Sequence, residues 1–199
     1  GHAINSGVVF KNDGQVNVTA GGLDISSGAS DTGDYAVSSG AILSFTGGTR
    51  TLNGVSITGA GTVNFSSGTL GTAGGNLSVT ASAINIAVAI NAGAGGLTFN
   101  TTGNITQSAG AITATGTNSF TSTGGNITLN QASNNLGSNL TIFTDRSFDV
   151  DTTSTLTDLS ITVNPAVAST WVLDAANITN FNLARNTATN TSISGFLAT

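Results

Sequence analysis

Asp145, Asp149 and Asp151, with Arg146 beside the first, form the densest group of ionisable side chains in the sequence. Paired carboxylates are what sugar hydrolysis needs, one protonating the leaving oxygen while the other attacks or activates water. On a strand, Asp149 and Asp151 stand two residues apart and share a face. With calcium the set could resemble a lyase site. The plainer reading is a group of solvated surface acids, and on that reading no catalytic residue is assigned. Asp24, Asp31 and Asp34 form a looser set with the same reading. His2 is the single histidine, which leaves Ser–His and His–metal chemistry without a partner. The Gly-Gly-x-Gly-x-Asp calcium repeat is absent. The expectation is therefore no metal and no cofactor.

Three further motifs have a chemical and a structural reading. Asn-x-Ser/Thr triplets begin at Asn17, Asn64, Asn76, Asn100, Asn104, Asn126, Asn139, Asn177 and Asn190, each formally a glycosylation acceptor. Asn76, Asn104, Asn126, Asn139 and Asn177 all read Asn-[Leu/Ile]-[Ser/Thr] at an expected strand start. The favoured reading of these is a turn Asn stacked in a hydrogen-bonded ladder. Thr113, Thr115 and Thr117, then Thr121 and Thr123, alternate along the chain. Such hydroxyls could order water as an ice-binding surface does, but the motif does not recur at every repeat. The plainer reading is ordinary outward β-branched residues. Trp171, the single tryptophan, follows the single proline, Pro165. An exposed Trp would stack on a sugar, and a buried one would plug a core; burial is the expectation. Trp171, Asp145, Asp149 and Asp151 are the positions the sequence offers for ligand contact.

The composition says what must position these groups. Of 199 residues, 7% are charged, against roughly 25% in an average globular protein. All nine acids are Asp. Helix-favouring Lys, Glu, Gln and Arg are nearly absent, while Thr, Val and Ile favour strands and Gly and Asn favour turns. Regularly spaced Val, Ile, Leu and Phe argue against disorder. A net charge of −5 argues against nucleic acid or an anionic membrane as partner, since both need basic patches. No apolar run is long enough to span a membrane as a helix, so this segment is expected not to insert. With no Cys there is no disulfide and no thiolate zinc site. Gly1-His2 reads as an appended start, which would make the chain a piece of something longer, and no signal peptide is expected within it.

Apolar residues flanking one polar residue recur along the chain, as in Val16-x-Val18, Leu23-x-Ile25, Leu77-x-Val79, Leu97-x-Phe99 and Ile127-x-Leu129. One series runs Val16, Tyr35, Val55, Leu77, Leu97, Phe120, Leu140, Leu159 and Ile178, in steps of 19 to 23 residues. A second runs Leu23, Leu43, Val63, Ile84, Ile105, Ile127 and Phe148. Gly pairs precede strand starts at Gly21-Gly22, Gly74-Gly75, Gly95-Gly96 and Gly124-Gly125. Strands this short cannot bury an apolar face alone, and stacked coils of about 20 residues solve the problem. The expected fold is all-β: a right-handed parallel β-helix forming one segment over residues 1–199, with an irregular loop or module boundary near 164–171. Roughly nine coils at about 4.8 Å would make a rod on the order of 43 Å long.

Gly40 to Leu52, Ile57 to Phe65, Gly103 to Ile112 and Gly124 to Asn130 resemble the repeat region of filamentous-haemagglutinin-like exoproteins and autotransporter passengers. The resemblance spans most of residues 16–183. It implies a shaft segment of a large secreted protein on the outer surface of a Gram-negative bacterium, with an adhesive and non-catalytic role. The partner it implies is a glycan or protein on a host or neighbouring cell. The alternatives are a β-helix that binds or cleaves polysaccharide and a spacer without ligand. The sequence departs from the resemblance near its N-terminus, which has no secretion-domain signature. Ile193 to Thr199 is not the aromatic-terminated end of a membrane barrel. Exposed end coils make end-to-end self-association a further expectation.

Overall fold

The computed structural model describes residues 1–5, 7–164 and 169–185, together with the backbone strand Ser192–Ile193. Among these residues every element is a β-strand. The period-2 pattern leaves each short strand with one apolar face, and parallel pairing between successive turns covers it. The result is a parallel β-solenoid of about nine turns with about 21 residues per turn. Most turns carry strands on three faces. The first face stacks Gln15–Val18, Asp34–Val37, Ser56–Gly59, Leu77–Ala81, Leu97–Thr101, Thr117–Ser122 and Asn139–Thr144. The later halves of Phe148–Val163 and Thr170–Arg185 complete it.

The second face repeats the expected inward column residue for residue. Leu23, Leu43, Val63, Ile84, Ile105, Ile127 and Phe148 are register partners in turn, and Trp171 lies on Phe148. On the first face the expected series crosses between columns. Tyr35 pairs with Ile57 rather than with the turn residue Val55, and the column continues through Val79, Phe99, Phe120, Ile142 and Ile161. Leu77, Leu97, Leu140 and Leu159 belong to an inward column two residues earlier. Ile178 pairs with Leu156 on another face altogether. Both columns are apolar save for the buried Asn118 in the earlier one, and they lie only two residues apart, so slipping between them leaves the period intact.

The third face was not resolved by periodicity. It stacks Ala29–Asp31 on the later part of Ile42–Leu52, then on that of Thr62–Gly71, Ile90–Gly93 and Ile112–Ala114. Its inward residues include Arg50, Thr72, Ala92 and Ala114. Arg50, Thr72, Ala92 and Ala114 alternate there with the aliphatic Leu52, Leu70, Ile90 and Ile112, so the apolar signal is weaker than on the other two faces.

The core is one continuous cluster from Val18 to Ala175. Rings run up its inside: Phe45 stacks on Phe65 at 5.6 Å, and Phe99 meets Phe120 edge-on at 5.7 Å. Each fully buried Leu, Ile, Val or Phe contributes roughly 1.5–3 kcal/mol. Glycine sets several corners, and within the Gly pairs named from the sequence Gly21 and Gly74 take a positive φ, +67° and +84°. Gly48 has a φ of +67°, and a side chain there would run into the backbone of Ser27 and Gly28 one turn earlier. Pro165 to Ala168, the centre of the expected irregular loop, and Asn190 lie outside the described residues.

Candidate functional site

Asp149 and Asp151 alternate with buried Val150 and Thr152 on the strand Phe148–Val163, so both carboxylates face outward as expected. The next turn brings a residue that sequence reasoning missed. Asp174, 23 positions later, is the register partner of Asp151. Only coil-to-coil register reveals this pair, because no local spacing marks it. The Asp149 carboxylate accepts a bond from the Asn130 amide at 2.9 Å. Burial pushes the Asp151 carboxyl above its usual range, and the charges of Asp149 and Asp174 add to the effect. Asp151 and Asp174 border an open recess of about 210 Å³ with Thr152 and Thr153.

Asp145 lies apart from this ridge, in the corner before Phe148, and its Oδ1 is buried without a hydrogen-bond partner. Arg146 forms no salt bridge among the described residues. Its carbonyl accepts the indole N–H of Trp171 at 3.1 Å. Trp171 is 2% exposed and sits in the core; it plugs the stack as expected and offers no open ring face to a sugar. Among the described residues no group of three His, Cys, Asp or Glu could hold a metal ion. Asp149, Asp151 and Asp174 thus form an outward row of carboxylates, with Asp151 partly shielded from solvent and Asp145 apart from it.

The asparagines at corners do form ladders. Asn104 Oδ1 accepts the Asn126 N–H at 2.8 Å, and Asn126 Oδ1 accepts the Ser147 N–H at 3.2 Å. Asn76 Oδ1 takes the Gly96 N–H at 2.9 Å in the same manner. Each side chain thus satisfies a backbone donor one turn ahead, at the residue just before the next strand begins. Asn139 and Asn177 fall instead inside strand pairings, opposite Asp158 and Thr155.

Residues 74–143 match a family described as repeats of unknown function (DUF5649). This stretch contains the regular turns from Leu77–Ala81 into Asn139–Thr144, with the Asn ladder and three of the Gly-pair corners or their equivalents. No curated protein matches the chain. No solved structure matches it either.

A second polar cluster, also missed, is inside the solenoid. Arg50 points inward and is 1% exposed. Its Nη1 donates to Asp31 Oδ2 at 2.5 Å, and its Nη2 donates to the carbonyls of Ser27 at 2.8 Å and Phe10 at 3.0 Å. The Tyr35 hydroxyl donates to the same Asp31 oxygen at 2.6 Å, and Asp31 Oδ1 accepts the Asn12 N–H at 2.9 Å. Burial drives the Tyr35 phenol far above its usual range, helped by its bond to Asp31 and the Asp31 charge. Every acceptor here is filled by protein, leaving no opening for a ligand, so the cluster ties residues 10–12 onto the first turns. Asp31 was read as one of three loose surface acids; its register on Leu52 places it inside.

Proposed function

We propose that the chain is a structural and adhesive shaft segment of a large secreted bacterial surface protein, without catalytic activity. The observation that carries this reading is the inward stack, in register from turn to turn, with Asp149, Asp151 and Asp174 outside and, among the described residues, no opposed carboxylate pair enclosing a substrate. A rod of this kind gains its stiffness from backbone ladders and a continuous core, and repeats any surface contact at each turn. Low charge and the short polar residues of the outer surface suit many weak contacts rather than one deep pocket. The resemblance to exoprotein repeats and the match to a repeat family over residues 74–143 are consistent with it.

Binding of the purified chain to a broad array of glycans and surface proteins, with the sugars checked afterwards for cleavage, tests the reading. Binding without cleavage is expected. Cleavage that Asp151→Asn and Asp174→Asn abolish would overturn it in favour of an enzyme, and no binding at all would reduce the segment to a spacer.

A further inference from the structure

The threonines that alternate along residues 113–123 do not share one face: Thr113 lies on the third, Thr121 on the first. A different array emerges across the turns. The outer side of the first face carries one column of Ser56, Ser78, Thr98, Ser119, Thr141 and Ser160. Two residues further along each strand stands a second: Thr58, Thr80, Asn100, Thr121, Phe143 and Thr162. Ten of these twelve positions are hydroxyls and none is charged; the nearest carboxylates, Asp34 and Asp158, stand beyond one end and at one edge. Strand geometry places neighbours about 4.8 Å apart along the rod and about 6.7 Å apart across it.

The hydroxyls are also uncommitted. Among the described residues only Thr58 donates to a protein group, the Tyr35 carbonyl at 3.5 Å. The outer side of the second face differs on both counts. There Asn64 donates to Ser44, Asn85 donates to Asn64 and Asn130 donates to Asp149, and charge enters through Asp24, Asp149 and Asp151.

We infer that the outer side of the first face is an ice-docking surface. A partner must be uncharged, because neither column carries a charge and Asp158 meets the face only at one edge. It must carry its own rigid lattice of donors and acceptors, because only such a partner engages a fixed two-dimensional array simultaneously; a flexible chain would lose entropy at every contact. The scarcity of aromatic rings, with Phe143 alone in either column, disfavours a sugar crystal, which binds by stacking. Frozen water meets both requirements and needs no ring to stack on. Each threonine supplies a hydroxyl that both donates and accepts, and a methyl group that holds neighbouring water in place. The inference goes beyond the shaft reading and does not depend on it.

Ice-growth inhibition and partition of the purified chain into growing ice test it. The wild-type chain is expected to enter the ice and slow its growth. Thr80→Tyr combined with Thr121→Tyr keeps strand propensity but raises two rings above the array, and is expected to abolish both effects. Thr106→Tyr on the second face is expected to leave them intact, with thermal melts confirming that all three proteins fold. The inference is overturned if wild-type protein stays in the liquid, if Thr106→Tyr loses the effect equally, or if the chain ignores ice and binds crystalline neutral polysaccharide.

Discussion

Two stretches of the third face occupy the same kind of position and fill it in opposite ways. Near the beginning of the solenoid, Asp31 and Arg50 project into the interior and bond to each other, to Tyr35 and to the backbone of residues 10–27. In later turns the Arg50 column continues as Leu70, Ile90 and Ile112, all at most 2% exposed. One backbone geometry therefore accepts either hydrocarbon or an ion pair whose buried polar atoms are partnered save for the Arg50 Nε. What differs is what each stretch can hold. The aliphatic rungs attach one turn to the next. The ion pair reaches across several turns and also fastens the Phe10–Asn12 segment, where few apolar contacts are available.

The sharpest way to break that comparison is to remove one member of the pair. Arg50→Ala strands the Asp31 charge in the core and is expected to cost about 3–5 kcal/mol in chemical denaturation. Asp31→Ala should cost a similar amount, while the double variant loses much less than the sum of the two. Strict additivity would mean that the two charges do not act as a unit. A smaller effect is expected from the aliphatic stretch, where Ile90→Val removes one methyl group from a well-packed rung and should cost about 0.5–1.5 kcal/mol. A loss matching that of Arg50→Ala would erase the distinction between the two stretches.

The smallest effect should come from the outer acid ridge. Folding holds the Asp151 carboxyl above its usual pKa of 3.8, so the folded state favours the protonated form. The stability this group supplies is complete below that usual value and is lost as pH rises through the raised one. Asp151→Asn should therefore raise stability slightly at neutral pH, within about 0.5 kcal/mol, and leave it unchanged below pH 3.8. Thermal melts across that range check both the sign and the window; destabilisation at neutral pH would give the carboxylate a role that the ridge does not suggest.

The candidate site was only partly legible for a reason these residues illustrate. Asp149 and Asp151 could be placed on one outer face because strand alternation is local. Asp174 could not be joined to them, because its partnership depends on how many residues the intervening turn contains. The same lack hid the Ser/Thr columns of the first face, whose members are 19 to 22 residues apart and never form a run. Trp171 was legible as a plug because a large apolar ring at the second-face period has little alternative to the core. Arg50 was illegible because an inward-facing arginine follows no hydropathy rule until its partners are known.

The sequence by itself determined the secondary structure, the length of the turn, the solenoid and the second-face core column. Each follows from strand propensity, alternation and a period that only stacking can satisfy. Tertiary structure alone decided the third face, the choice between two adjacent apolar columns, the burial of Asp31 with Arg50, and the assembly of Asp174 and the outer hydroxyl array. The physical reason is that turns of unequal length set the register between coils, and register determines which distant side chains become neighbours.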